Sequence, residues 1–325
     1  MWARTTLLQY FLVLVVAVCL AGKATAEIMA ALFQDGVPGY DTAPGVTIQS
    51  RLHPEQQALG VREGGFQFMP ALDQGVGYTS NALPGPYRRG SFEVVTAPSL
   101  TMGSLWSHDA LGAAFSVQDT RYLSLPSQDR VDATASVGGR VDIGDSQLTV
   151  AAAHLSQHED RSQVDTIASD KPVAFQIDDV RLSYAMTNGR LKITPSVQVS
   201  NWTYDPTTIQ GAPSSQAYRD RLVTQAALTL RYAWAPLRNI VFVLRALDQT
   251  YTRTPAEQTS PDSTSYQMLA GFDYDDDSVW RWKLLLGEET RHFTSRRYAA
   301  QNTLIAEAGA DSSGRRNTRF VVRSE

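Results

Sequence analysis

From Phe66 onward the chain is written in period two. Between Ser91 and Trp106 the positions Phe92, Val94, Thr96, Pro98, Leu100, Met102 and Trp106 alternate with Glu93, Val95, Ala97, Ser99, Thr101 and Gly103, one parity apolar and the other small or polar. Arg130 to Ile143 is cleaner still: Val131, Ala133, Ala135, Val137, Val141 and Ile143 alternate with Arg130, Asp132, Thr134, Ser136, Arg140 and Asp142. Alternate residues of an extended strand face opposite sides, so each such run predicts a strand with one greasy and one polar face. The rule extends to Leu191, Ile193, Val197 and Val199, to Leu222, Leu228, Leu230 and Tyr232, and to Met268, Phe272, Trp282, Leu284 and Leu286.

The connections sort by length. Short ones fall at Trp106–His108, Ile143–Ser146, Thr187–Arg190, Trp234–Asn239 and Tyr274–Ser278; long polar ones run over Asn81–Gly90, Ser124–Gln128, Gln157–Pro172, Asp205–Tyr218, Arg253–Ser263 and Thr294–Gln301. Strict alternation of tight turns with long loops is the signature of an up-and-down barrel with one tight rim and one loop rim. The predicted fold is therefore all-β: an antiparallel up-and-down transmembrane β-barrel. Eleven strands lie between Phe66 and Arg291, a twelfth over Asn302–Ala308 and the start of a thirteenth over Asn317–Arg323. Single-chain bacterial barrels close with even numbers, so the expectation is about twelve strands or a truncated larger barrel.

Aromatic residues refine this picture. Trp106, Tyr184, Tyr232, Trp234, Tyr274, Trp280 and Trp282 gather beside the short turns, while Tyr78, Tyr122, Trp202, Tyr204, Tyr251 and Phe293 gather at the opposite strand ends. Two interfacial belts would place both sets on the lipid-facing side. The polar parity then lines the interior, and the candidate pore-lining cations are Arg130, Arg140, Arg181, Lys192, Arg221, Arg231, Arg281 and Lys283, set against Glu93, Asp132, Asp142 and Asp273. An excess of arginine would bias passage toward anions or sugar acids; a mesh of internal ion pairs would merely keep the lumen hydrated.

Ahead of the strands, Met1–Ala26 reads as a signal peptide, with Arg4 before the apolar run Leu7–Ala21 and Ala24-Thr25-Ala26 as the cleavage site. Residues 27–64 hold Gly36, Pro38, Gly39, Pro44, Gly45 and Pro54 and show no sustained period. They predict a mostly extended periplasmic N-terminal arm, short for a plug, with one strand around Gly45–Leu52. The barrel occupies 65–325. The single cysteine, Cys19, lies in the signal peptide, which excludes disulfides and thiolate metal sites from the mature chain. A net charge of −4 gives no electrostatic case for nucleic acid.

Candidate chemistry is sparse. His154 and His158 have i,i+4 spacing, which on a strand leaves them about 13 Å apart, too far to share one metal ion. Ser156 lies between them on the same parity, where a barrel-embedded lipid hydrolase would need its hydroxyl, but no third member has a position in the sequence. Asp275-Asp276-Asp277 lacks the glycine and distal glutamate of a calcium loop and suits a tight turn. The expectation is a non-enzyme without metal or cofactor.

The stretches Gly75-Val76-Gly77-Tyr78-Thr79-Ser80-Asn81, Gly90-Ser91-Phe92 leading to Ala97-Pro98, Trp106-Ser107-His108-Asp109-Ala110-Leu111-Gly112, Arg121-Tyr122 and Gly139-Arg140-Val141-Asp142-Ile143 resemble the putative β-barrel porin family of proteobacterial outer membranes. The resemblance implies the outer membrane of a Gram-negative bacterium. It also implies a porin-like conduit or the outer-membrane component of exopolysaccharide export, with no catalytic residue to carry over. The partners it implies are outer-membrane lipid, the barrel-assembly machinery, and polysaccharide or small hydrophilic solutes. Two other readings stay open: a structural or adhesive barrel with a closed lumen, and a barrel-embedded lipid hydrolase. Family members are longer and end in an aromatic strand, a pattern absent from Phe320–Glu325.

Overall fold

The computed structural model describes residues 37–40, 60–83, 89–159, 167–255, 259–275, 280–312 and 315–323; the expected signal peptide and the expected strand around Gly45–Leu52 lie outside them. A short β1 (Val61–Glu63) opens a single antiparallel sheet. It continues through β2 (Phe66–Leu83), β3 (Arg89–Ser104), β4 (Ala110–Tyr122), β5 (Arg130–Ile143), β6 (Ser146–His158), β7 (Ala174–Asn188) and β8 (Leu191–Tyr204). After a small separate hairpin, β9 (Thr207–Ile209) and β10 (Ala212–Ser214), the sheet resumes with β11 (Arg221–Ala235), β12 (Arg238–Tyr251), β13 (Ser263–Asp275), β14 (Trp280–Phe293), β15 (Gln301–Ser312) and β16 (Arg315–Arg323). Consecutive strands are neighbours throughout this 14-stranded sheet, with β8 bonded directly to β11. All the long strands read from the alternation are present. Among the described residues no pairing joins the first strands to β16, so the sheet is curled but open.

Registers fix which residues share a face. Leu72, Val76, Phe115, Val137, Val180, Leu182, Met268, Phe272, Leu286 and Leu304 stand exposed on one side, Val76 at 79% and Leu304 at 72%. A water-facing sheet does not present a continuous field of large apolar side chains at such exposures; a lipid-facing one does. The opposite, inner face carries the charged parity together with two apolar clusters that the alternation did not predict. One joins Ala114, Ala151, Ala153, Leu155 and Ile177; the other joins Val241, Val243, Leu269, Leu285 and Ile305. The second cluster reaches from β12 to β15, and Arg245 on β12 pairs with Glu307 on β15 at 2.5 Å. On a flat sheet those two backbones would stand about 14 Å apart. Contacts of that reach mark the inner face as concave.

Glycine makes part of that curl possible. Gly271 sits in register with Leu285, and Gly287 with Leu269. A Cβ on Gly271 would lie 1.9 Å from the Leu284 carbonyl oxygen, and one on Gly287 1.9 Å from that of Met268. The two strands thus approach where a side chain would separate them, and each buried leucine packs opposite a bare backbone. Gly271→Val is expected to cost about 1–3 kcal/mol through forced backbone shift. A lower temperature for losing the folded, heat-modifiable gel species checks this.

One expectation is refined and one corrected. The long polar connection over Asp205–Tyr218 contains a hairpin: β9 and β10 pair around Gln210 and Gly211, both at positive φ (51° and 78°), the backbone of a tight two-residue hairpin. The far aromatic belt also dissolves. Tyr78 stays outside at 63% exposure, but Trp202 lies in register with Ile177 and with Arg221, and Tyr251 with Arg221, all of them on the inner parity. Tyr122, Tyr204 and Phe293 share that parity. Polar pairs mark this edge of the apolar band instead: Asp119 with Arg121 at 2.6 Å, His154 with Asp178 at 2.7 Å, and Asp248 with Thr264 at 2.8 Å. Of the near belt, Trp106, Tyr232, Trp234 and Trp282 stand exposed, and Tyr184 and Tyr274 are half-buried.

Candidate functional site on the inner face

The most deeply built part of the inner face is a place where the N-terminal arm meets the sheet. Val37, Pro38, Gly39 and Tyr40 form a turn, closed by the Tyr40 N–H donating to the Val37 carbonyl at 3.0 Å. Val37 and Tyr40 are 0% and 1% exposed, packed with the Ala114, Ala151, Ala153, Leu155 and Ile177 cluster. Four residues touch elements from β4 to β7, which the concavity of the face permits. This part of the arm, expected to lie in the periplasm, docks against the sheet.

Small residues shape the dock. A Cβ on Gly138 would lie 1.9 Å from the Pro38 carbonyl oxygen, and Gly39, at φ +93°, sits against the Ala151 methyl. The Gly138 and Ala151 positions are direct partners on β5 and β6, so together they leave a shallow floor for the turn. In the sequence Gly138 reads as an unremarkable small member of the polar parity.

Asp179 is the hub. It is fully buried, and its carboxylate accepts from the Tyr40 hydroxyl at 3.0 Å, Arg181 Nε at 2.9 Å, Gln198 Nε2 at 2.6 Å and the Ser200 hydroxyl at 2.5 Å. A buried carboxylate with that many donors is satisfied rather than stranded. The Arg181 guanidinium also stacks 4.4 Å from the Tyr40 ring and donates to the Gly39 carbonyl at 3.3 Å. Burial first, and then the Asp179 charge, hold the Tyr40 phenol far above its usual range, so it remains a donor. Asp179 was not among the acids singled out from the sequence, because nothing marks its parity as special until the arm lands on it.

The predicted cations all fall on the inner parity, and the structure pairs most of them. Arg130 meets Asp132 at 3.5 Å, Arg140 meets Asp142 at 3.7 Å, Arg181 meets Asp179, and Arg231 reaches across β12 to Asp273 at 2.8 Å. Lys283 meets Glu307 at 3.7 Å, in a group with Arg245 that the sequence reading missed. Lys192 shares a cavity at the tight-turn end with His108, Asp142 and Asp145. Arg281 holds an inner register position opposite Asp275. Arg221 is held differently: its guanidinium rests on rings, 4.5 Å from Trp202 and 5.9 Å from Tyr204. Partly exposed pairs of this kind stabilise weakly, about 0–1 kcal/mol each, and neutralise charge along most of the face.

At the loop end the inner aromatics assemble. Phe175 stacks with Trp202 at 5.9 Å and with Tyr204 at 5.7 Å between centroids. Arg219, held by Glu159, lies over the Tyr204 ring at 4.1 Å. Arg219 and Arg221, which lie against these rings, also line a cavity of about 340 Å³ at the loop end, together with Tyr218, Tyr251, Arg253 and Tyr298.

On the outer face, the structure gives His154 a partner that the sequence could not. Its Nδ1 lies 2.7 Å from Asp178 Oδ1, both groups more than half exposed, and Ser156 occupies the next outward position of β6. No hydrogen bond joins Ser156 to His154 among the described residues. His158 turns to a different carboxylate, Asp132, at 2.9 Å.

A family model described as Putative beta-barrel porin 2 matches residues 53–323. Among solved structures, the translocator domain of autotransporter NalP from Neisseria meningitidis aligns at 11% identity and a TM-score of 0.30, covering 78% of this chain and 90% of that one. No curated protein matches the chain.

Proposed function

This chain belongs to the family Putative beta-barrel porin 2 and is an outer-membrane β-barrel protein; from that premise we propose that it acts as a porin-like conduit for hydrophilic solutes or as the outer-membrane component of exopolysaccharide export. The observation that carries the reading is the division of the sheet into an exposed apolar face and an inner face of paired charges. Ion pairs along an interior need water around them, and a hydrated interior behind a lipid-facing wall is a path for solutes. Because most inner cations already have carboxylate partners, bulk anion selectivity is weak in this reading, and discrimination belongs to the loop end, where Arg221 rests on rings.

Protein reconstituted into planar bilayers is expected to give discrete conductance steps with modest anion preference. A silent bilayer, with protein recovered as a folded heat-modifiable species, would remove the conduit and favour a closed structural barrel. The docked Val37–Tyr40 turn is what supports that second reading, since it fills part of the inner face. We read the protein as a non-enzyme and His154–Asp178 as an interfacial ion pair; loss of any measured lipid hydrolysis on Ser156→Ala would overturn this.

A further inference from the structure

We propose that the loop-end cavity is a binding site for an acidic saccharide, an anionic ring rich in hydroxyls, with Tyr218, Arg219, Arg221, Tyr251, Arg253 and Tyr298 as its recognising residues. Its use in passage rests on the conduit reading above; the binding does not. The cavity, about 340 Å³, falls at the lower end of volumes that enclose small ligands. Three arginines and three tyrosines converge on it, threonine and proline complete the described lining, and among the described residues no carboxylate lines the space.

Among the described residues, three neighbouring carboxylates are committed elsewhere. Glu159 holds Arg219, Asp220 accepts the Tyr204 N–H at 2.8 Å, and Asp262 accepts the Tyr251 N–H at 2.7 Å. Arg221 is steadied without an acid: it stacks on Trp202 and donates to the Tyr204 hydroxyl at 3.4 Å and to the Arg219 carbonyl at 3.3 Å. Arg253 stands exposed on the rim, and Nη1 of Arg219 is buried with no hydrogen-bond partner, as is the second oxygen of Glu159. Positive charge is thus concentrated at the described lining, and these three carboxylates are not part of it.

The ligand class follows from what each residue type can answer. Guanidinium forks pair with carboxylate or phosphate oxygens. Tyrosines offer flat apolar faces for the C–H side of a sugar ring and hydroxyls for its rim. A neutral sugar would leave the guanidiniums unanswered, and a bare anion would leave the tyrosines unused. A carboxylated or phosphorylated sugar satisfies both, whether it comes from an exported polysaccharide or from the sugar region of the outer leaflet.

The test uses full-length protein in detergent micelles, titrated with oligogalacturonate, with maltotriose and with inorganic phosphate, and followed by calorimetry. Oligogalacturonate is expected to bind at least about tenfold more tightly than either control, with affinity falling as salt rises. Arg253→Gln, on an exposed loop, is expected to weaken it about tenfold while the folded gel species persists. Equal binding of oligogalacturonate and maltotriose, equal binding of phosphate, or an unchanged Arg253→Gln affinity would each overturn the site. The conduit is judged separately: conductance that oligogalacturonate fails to block in a protein that does not bind it leaves the conduit standing and removes the site. Binding by a protein that never conducts keeps the site and removes the conduit.

Discussion

Tyr40→Ala is expected to raise conductance, by converting a docked arm into an undocked one. The substitution removes a fully buried ring worth about 2–3 kcal/mol, the hydroxyl bond to Asp179, and the surface on which Arg181 stacks. A change of that size shifts the docked-to-undocked ratio by about two orders of magnitude. Asp179 keeps Arg181, Gln198 and Ser200, so the wall itself should survive. Gly138→Val tests the same idea from the opposite side, because its side chain would occupy the space of the Pro38 carbonyl while suiting a strand. Both variants should give larger or longer-lived open steps than the parent in planar bilayers, with the folded gel species intact. Conductance identical to the parent in both would mean that the turn does not obstruct the path.

Asp179→Ala acts on the wall and should be far more damaging. The carboxylate is 0% exposed and answers four donors from β7, β8 and the arm. Deleting it leaves Arg181 without its buried counter-charge and Ser200 and Gln198 without their acceptor, a loss of about 3–5 kcal/mol. The folded, heat-modifiable species should disappear at a markedly lower temperature. Asp179→Asn keeps an acceptor but not the charge and should fall between. If Asp179→Ala melted like the parent, the hub would be ornament, and the arm would be held by Val37 and Tyr40 packing alone.

Strand identity was readable because lipid on one side and water on the other force a strict period of two, and no competing pattern explains Arg130–Ile143. The tight turns were readable for a related reason: Gly144 and Gly189 take positive φ at the expected positions. What stayed hidden depends on three dimensions. Parity says that Trp202 and Tyr204 share a face with each other, but whether that face looks at lipid follows from their register against Ile177 and Phe175. Asp178 and Asp179 are adjacent acids, and the sequence does not say that one reaches outward to His154 and the other is buried beneath Tyr40. Leu269 and Leu285 broke the polar parity without any local signal, since their reason is a cluster shared by four strands.

The bond between Tyr40 and Asp179 spans 139 positions of sequence, whereas among the described residues the strands of the sheet pair with their neighbours in chain order. Closing so long a loop carries an entropic cost of about 4 kcal/mol from length alone, and its floor does not exist until β5 to β8 have paired. The turn therefore docks after the part of the wall that receives it. During assembly the interior passes through a period in which it is lined but not yet occupied, and protection of the arm from an added protease would time the end of that period. The arm then serves as an internal record of completion: a chain that has buried Tyr40 has, of necessity, already built the strands around it.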